Sequence, residues 1–234
     1  MTAPLAPSAA SADRATMAWL VERGPVSKEA QQATAGATDV DALLTLLVDS
    51  GHSADALRVV AAALPPREGI WWAWTLARHA AQRAGESGPA AAVTEALAAT
   101  EQWIAAPDER TRRAAWAASE RAGMDSPAGC AAAAPFLASG SLAPPEIAPV
   151  PPPPGMHTML IATAALLAAA VDPPHFDALA GAYIAQGLEV VRQIGGWNRS
   201  VELAKHHFET QREQHANATA PPVAAQPARP AASY

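Results

Sequence analysis

The chain has 234 residues, half of them apolar, and a formal net charge of −6. This length and apolar content are sufficient for one large domain or two small ones. The acidic balance, without a basic stripe between aromatic residues, excludes nucleic acid from the expected partners. Much of the apolar content is alanine, the strongest helix former, whereas the β-branched and aromatic runs typical of strands are missing. The composition therefore predicts an all-α fold.

Cysteine content and apolar patterning indicate the expected compartment. Cys130 is the only cysteine, which rules out an internal disulfide and is typical of a reducing compartment. The N-terminal residues lack the basic and apolar regions of a secretory signal. The apolar run at residues 156–171 is shorter than the roughly 20 residues of a membrane span, so a buried core helix is expected there. We therefore expect a cytoplasmic protein without a membrane span.

Short helices separated by clear breaks are predicted for the first part of the chain. We expect residues 1–10 to be disordered and a first helix to span residues 11–22. The spacing Thr38-x-x-Asp41 predicts an N-cap at Thr38, and apolar residues at i, i+3, i+4, i+7 and i+8 predict an amphipathic helix after it. Ser53 is the predicted N-cap of the next helix.

Three tryptophans that follow a pair of prolines mark the helix around which we expect the fold to be organised. Pro65 and Pro66 predict its start, since proline is tolerated in the first turn of a helix and not in its interior. Trp71, Trp72 and Trp74 point about 100° to 200° apart around the helix axis. Neighbouring helices must therefore cover this helix on several sides.

Further helices are predicted downstream of the tryptophan helix. One ends near Ala106, a second contains Trp116, and a third begins with Ser126 as N-cap before Pro127. Because the connections are short, consecutive helices should pack antiparallel. We therefore predict that residues 11–139 form an irregular array of antiparallel helix pairs, solenoid-like or a bundle, with about eight to ten helices in the whole chain.

A proline-rich segment at residues 140–154 excludes a helix there. Two interpretations stay open: a stiff polyproline II connector, which the helices on both sides favour, or a recognition segment for a polyproline-binding partner. Residues 155–214 are predicted to form C-terminal helices that pack on the same array. Residues 215–234 are predicted to be a disordered tail.

Few residues form patterns typical of catalysis or metal binding. Cys130 lies in an alanine-rich helix with no histidine nearby in sequence, which favours a buried packing thiol. His206, His207 and His215 lack metal-ligand spacing, and no glycine-rich phosphate loop is present. We therefore expect no cofactor and no metal, and a non-catalytic protein is favoured over an enzyme.

The motif Pro65-Pro66-Arg67-Glu68-x-x-Trp71-Trp72-Ala73 resembles the signature of an uncharacterised bacterial family of helical proteins, a domain of unknown function. Similar stretches at residues 113–116, 129–131 and 151–155 extend the resemblance over much of residues 38–195. The resemblance implies a bacterial, helical and cytoplasmic protein, and such families occur near genes of secretion systems, type VI among them. The family supplies no catalytic residues.

The first functional hypothesis is a non-catalytic adaptor or interaction protein that binds a protein partner, with a homo-oligomer as a further option. Tryptophan and arginine are common anchors of protein interfaces, and neighbouring predicted helices carry several of them. The interface candidates are Trp71, Trp72, Arg78, Arg112, Arg113 and Trp116. The alternative role of each tryptophan is to fill a gap between alanine-rich helices.

The second hypothesis is a small-molecule-binding protein or an enzyme with a pocket between helices. Trp71 or Trp72 would form a wall of this pocket, and Glu68, Arg78 and His79 would supply its polar groups. A histidine hydrogen-bonded within the core is the alternative for His79. An enclosed pocket at His79 would favour this hypothesis, whereas an open apolar patch with arginine at its rim would favour the adaptor.

Overall fold

Helices make up most of the chain that the computed structural model describes, which covers residues 14–83 and 90–219. These residues form eleven α-helices, one short 3-10 helix and no β-strand, so the predicted all-α fold is confirmed, with one helix more than the predicted range. The helices are α1 (Arg14–Arg23), α2 (Lys28–Ala33), α3 (Val40–Asp49), α4 (Ser53–Ala63), α5 (Pro66–Gln82), α6 (Ala91–Ala105), α7 (Glu109–Ala122), α8 (Pro127–Ala138), α9 (Met156–Ala170), α10 (Phe176–Ile194) and α11 (Trp197–Thr219), with the 3-10 helix Pro173–His175 before α10.

The predicted disordered segment 1–10 and most of the predicted tail lie outside the described residues. The start of the tail requires a correction, because α11 continues past the predicted end at Gln214 as far as Thr219. No glycine or proline interrupts the chain there before Pro221. The Thr219 hydroxyl also donates a hydrogen bond to the His215 carbonyl at 2.9 Å. The last helix therefore has no local reason to end earlier.

Two of the predicted N-caps are wrong by one residue. α3 is capped by Asp39, whose carboxylate accepts a hydrogen bond from a first-turn N–H at 2.8 Å, while Thr38 donates to Asp39 at 3.2 Å. A carboxylate is the stronger acceptor and favours the positive end of the helix, so the cap falls on Asp39. Ser53 is the first residue of α4 rather than its cap, because the His52 carbonyl already accepts the first helical hydrogen bonds.

The alanine-rich helix α8 lies at the centre of the molecule, and all its residues after Pro127 are buried. α5, α6, α7 and α9 pack against it. Small side chains permit this, because methyl groups let neighbouring backbones approach closely. The predicted coverage of α5 on several sides is confirmed, since α6, α8, α9 and α10 contact it. α5, the helix with three tryptophans, thus shares the core with α8, which has smaller side chains and is more completely buried.

Residues 140–154 connect α8 to α9 without a helix, and hydrogen bonds fold the segment back on itself. The Leu142 N–H donates to the Val150 carbonyl at 2.8 Å, and the Ser141 hydroxyl accepts from the Val150 N–H at 3.0 Å. Arg113 fixes this loop to α7 by donating to a loop carbonyl at 2.8 Å. These hydrogen bonds close residues 141–150 into a loop, so this part of the segment does not follow a straight polyproline II path.

α11 is tied to the rest of the fold by buried polar side chains. The Trp197 indole donates to the Asp41 carboxylate at 2.8 Å, and the Ser200 hydroxyl donates to the Ala63 carbonyl at 2.7 Å. The Gln211 amide donates to two carbonyls at the end of α8, each at 3.0 Å, and accepts from the Gly155 N–H at 3.2 Å. α11 therefore connects α3 and α4 with the junction between α8 and α9.

Within residues 14–83 and 90–219, no single helix has both the length and the hydropathy needed to cross a membrane. α9 and the segment that contains α10 meet these limits only when taken together, and the chain bends by 108° between them.

Candidate functional site

The proline–tryptophan motif at the start of α5 holds three helices together. Pro66 occupies the first turn, as predicted. The Arg67 guanidinium donates two hydrogen bonds to the Ile104 carbonyl, at 3.0 and 2.7 Å, and so satisfies the C-terminal end of α6. Gly69 lets α9 approach, because a Cβ at this position would lie 2.9 Å from the Ile161 side chain. The motif therefore joins α5 to α6 and α9.

Two of the three tryptophans on α5 are buried anchors. The Trp72 indole N–H donates to the Tyr183 carbonyl at 3.2 Å, which attaches α5 to α10. The Trp74 indole N–H donates to the Leu97 carbonyl at 2.9 Å, which attaches α5 to α6. Trp71 differs from both, since it is 37% exposed. Its indole N–H has no hydrogen-bond partner within the described part of the chain.

His79 lies beside Trp72 at the same tyrosine. His79 Nδ1 is 2.8 Å from the Tyr183 hydroxyl, and the two rings are perpendicular with centroids 5.7 Å apart. Burial raises the pKa of Tyr183, so its hydroxyl stays protonated at neutral pH. Arg78 is exposed and lies over the Trp74 ring, 4.5 Å from its centroid. The structure therefore places Trp72 and His79 in packed contacts with Tyr183, and Arg78 over the Trp74 ring.

Three further interface candidates meet around Phe136 at the end of α8. Arg112 is buried, and its guanidinium donates to Glu109 at 2.6 Å, to the Phe136 carbonyl at 2.8 Å and to the Ser141 carbonyl at 2.8 Å. Hydrogen bonding from Arg112, supported by Arg113, lowers the pKa of Glu109. Trp116 stacks on the Phe136 ring with centroids 4.7 Å apart. These side chains fasten α7 to α8 and to the proline-rich loop.

The six interface candidates do not form one surface. Trp71, Trp72 and Arg78 lie on α5, and the remaining three lie on α7. α6 and α8 each contact both of these helices and lie between them. Trp72, Arg112 and Trp116 pack between helices, which is the alternative role, whereas Trp71 and Arg78 remain exposed. Their distribution over two helices depends on tertiary contacts that spacing does not encode.

One surface brings an interface candidate and a pocket candidate together. Glu68, Trp71, Val190, Gln193 and Ile194 line an open depression of about 400 Å³ between α5 and α10, which we call the Trp71 depression. Its lining is apolar except for Glu68 and Gln193. The depression is open to solvent.

A second concave site was missed by sequence reasoning. It is a cleft of about 310 Å³ formed mainly by α1, α9 and α11, which we call the His157 cleft. His157 is only 4% exposed, and burial, reinforced by the neighbouring His207, lowers its pKa to about 3. The two histidine rings are perpendicular with centroids 5.0 Å apart. The residues lining the cleft are Trp19, Glu22, Arg23, Pro25, Ala62, Leu64, Pro154, Gly155, His157, Thr158, Met159, Ala204 and Phe208.

The cleft could not be found from spacing because its walls come from helices far apart in the chain. One signal was available, since His157 is the only ionisable residue in the apolar run at 156–171. A histidine in such a run is either hydrogen-bonded within the core or part of a site. His157 Nδ1 has no hydrogen-bond partner among the described residues.

The single cysteine of the chain is shielded from solvent in this fold. Cys130 is fully buried, with Sγ 3.1 Å from the Met124 carbonyl, and burial raises its pKa to about 11. The thiol therefore stays protonated at neutral pH and is a poor nucleophile. Within residues 14–83 and 90–219, no group of three or more histidine, cysteine or carboxylate side chains is placed to hold a metal ion.

Within residues 14–83 and 90–219, the all-α fold carries the Trp71 depression and the His157 cleft among its concave sites. The model of a family of unknown function, DUF6931, matches residues 43–191, and the chain belongs to this family. No curated protein and no solved structure matches the chain. The matched region contains the proline–tryptophan motif, most of the Trp71 depression and the α9 side of the His157 cleft. The α1 and α11 sides of the cleft lie outside it.

Proposed function

We propose that the protein is a non-catalytic adaptor that binds a protein partner through the Trp71 depression. The observation that carries this proposal is the state of Trp71, which is partly exposed and has an unpaired indole N–H within the described part of the chain. Trp72 and Trp74, on the same helix, are buried and hydrogen-bonded. A partly exposed tryptophan with an unpaired N–H can supply both apolar contact and a hydrogen bond to a partner.

The lining of the depression favours a protein partner with a protruding apolar side chain. Val190 and Ile194 lie beside Trp71 and form an apolar floor, while Glu68 and Gln193 supply polar groups at its edge. An apolar centre with a polar rim is typical of protein interfaces. Glu68 is the only charged residue in the lining, so a partner with a lysine, an arginine or an N–H donor next to its apolar anchor fits best.

The sequence resemblance directs the search for this partner. Families of this kind occur near genes of bacterial secretion systems, so we propose that the protein acts in the bacterial cytoplasm as an accessory factor of such a system, type VI being the specific candidate. An apparatus that assembles from several components needs proteins that connect them. A small helical protein that binds a partner through the Trp71 depression suits that role.

Site-specific cross-linking in the native host tests the proposal. A photo-reactive phenylalanine derivative replaces Gln193, which lies at the edge of the depression, and the cross-linked protein is identified by mass spectrometry. We expect one protein of the secretion apparatus, and we expect Trp71→Ala to reduce its yield by about tenfold because an aromatic anchor is lost. Met124→Ala is the matched control, since Met124 is 41% exposed and lies outside the depression.

Each outcome of the cross-linking either supports or contradicts the proposed adaptor function. A cross-linked partner whose yield is the same with Trp71→Ala contradicts the proposed surface. No cross-linked partner, or only a second copy of this chain, contradicts the adaptor and in the latter case identifies a homo-oligomer. Trp72→Ala is unsuitable as the test variant, because loss of its buried side chain would destabilise the fold.

A further inference from the structure

The His157 cleft has the size and the walls of a small-molecule site. Its volume of about 310 Å³ lies at the lower end of the range for ligand pockets. Trp19, Leu64, Met159 and Phe208 contribute large apolar side chains to the lining. Arg23 lies against one of these walls, with its guanidinium 4.4 Å from the centroid of the Phe208 ring. The cleft is thus an apolar space with a cation at its border.

The first turn of α9 also lines the cleft. Its N-cap position is Gly155, with φ +78°, so no side chain caps the helix. The first N–H groups of a helix lack intrahelical acceptors, and the positive end of the helix dipole attracts anions. Gly155 also allows Phe208 to lie close, because a Cβ would be 3.3 Å from its ring. The Gly155 N–H donates to the Gln211 amide and the Met156 N–H to the Pro153 carbonyl, which leaves the N–H groups of His157 and Thr158 for a bound anion.

Two buried polar atoms of residues that line the cleft lack hydrogen-bond partners. They are His157 Nδ1 and Arg23 Nε, and neither has a partner in the described ranges. Buried polar groups are nearly always paired in folded proteins, so these two unpaired atoms are available to hydrogen-bond a ligand in the cleft. In the tautomer in which Thr158 donates to His157 Nε2, at 3.3 Å, Nδ1 carries the ring proton and is a donor. Arg23 Nε is a donor in every state.

The charge balance of the cleft limits the ligand to a single negative charge. Glu22 forms an ion pair with Arg23 and is mostly exposed, so part of the cationic charge is already neutralised. His157 stays neutral at physiological pH because burial lowers its pKa to about 3. A dianion would meet Glu22 without a second cation among the lining residues. A carboxylate fits the available donors better than a phosphate does.

We propose that the His157 cleft binds a small monocarboxylate with an aromatic or branched apolar body. The carboxylate interacts with the first turn of α9 and with Arg23 and His157, and the apolar body lies against Trp19, Met159 and Phe208. This site is separate from the Trp71 depression, and the inference does not depend on the proposed adaptor function.

Calorimetric titration of the full chain with two matched probes tests the role of the carboxylate. The probes are 2-naphthoate and 2-naphthamide, which share the ring system and differ in charge. We expect 2-naphthoate to bind with a Kd below about 1 mM and 2-naphthamide to bind at least about tenfold more weakly, because charge-assisted hydrogen bonds are lost. Equal affinities, or no binding of 2-naphthoate, would overturn the proposal.

Variants of exposed methionines test the location. Met159 is 62% exposed at the edge of the cleft, so Met159→Trp should block the cleft while the fold is retained. Met124→Trp is the control for an added indole elsewhere on the surface. We expect Met159→Trp to abolish 2-naphthoate binding, Met124→Trp to leave it unchanged, and Arg23→Gln to weaken it by about tenfold. Retained binding in a folded Met159→Trp protein would place the ligand elsewhere and refute the site.

Discussion

Tyr183 holds two side chains of α5 against α10. Its carbonyl accepts from Trp72 and its hydroxyl lies 2.8 Å from His79, so two residues suggested for a pocket are paired with one residue of α10. Helical spacing predicted that the tryptophans of α5 point in different directions. It could not predict that Trp71 faces solvent, because that depends on where α10 packs.

The buried His157 leads to a prediction about acid stability. Its pKa is about 3 in the fold, against an ordinary value of 6.5. Between these values the unfolded chain binds a proton that the folded chain does not, so the free energy of unfolding decreases as the pH falls. From about pH 7 to about pH 5 this single group should remove about 2 kcal/mol of stability. His207, whose pKa is also lowered mainly by burial, acts in the same direction.

Urea unfolding of two histidine variants at several pH values measures this effect. His157→Leu should show a shallower loss of stability above about pH 5 than the natural chain, because the leucine does not titrate. His206→Leu is the control, since His206 is an exposed neighbour on α11. The same pH slope for His157→Leu and the natural chain would contradict the buried, neutral state of His157. Asp108, Glu109 and Asp172, whose pKa values are lowered by hydrogen bonds, contribute only below this pH range.

For individual helices, nearby residues predicted where a helix begins, but they did not predict which helices contact one another. Pro66, Ser126 and the amphipathic pattern of α3 are signals within a few residues, and each one located a helix. The packing of Arg112 against the end of α8, in contrast, depends on residues far apart in the chain. It joins groups 24 and 29 residues apart in the chain, and a pair of arginines near an acid is also the usual pattern of a solvated face.

Two glycines of α10 test how closely this helix packs. A Cβ at Gly187 would lie 2.3 Å from Val60 and 3.3 Å from the Trp72 ring, both of which are fully buried. Gly187→Ala should therefore destabilise the protein by about 1–3 kcal/mol through overpacking. Gly181 has no atom within 4 Å of its Cβ position, so Gly181→Ala should stabilise the protein by up to about 1 kcal/mol through helix propensity.

Denaturant unfolding of the two variants distinguishes packing from propensity. Alanine replaces glycine in the same helix in both cases. Stability changes of opposite sign can therefore be assigned to the contact of Gly187 with α4 and α5. If Gly187→Ala were as stable as Gly181→Ala, α10 would not approach Val60 and Trp72 as closely as described. The Trp71 depression, which α10 borders, would then also require revision.

The region that the family model matches is shorter than the part of the chain that folds together. The match at residues 43–191 spans most of α3 to α10, whereas α1, α2 and α11 lie outside it. These outer helices nevertheless reach the core. Leu20 and Trp197 are fully buried, and the buried carboxylate of Asp55 accepts hydrogen bonds from the N–H and the hydroxyl of Ser27, each at 3.0 Å.

A fragment of residues 38–195 should therefore be less stable than the full chain. It lacks the Trp197 side chain, whose loss alone corresponds to about 3–5 kcal/mol for a buried tryptophan. It also leaves Asp55 without its two hydrogen bonds from Ser27, which costs further stability because a buried charge loses donors. We expect a lower urea midpoint and binding of a hydrophobic dye to the exposed faces of α3 and α4. Trp197→Ala in the full chain should give an intermediate midpoint, and a fragment that unfolds at the same midpoint without binding dye would show that α3 to α10 fold independently.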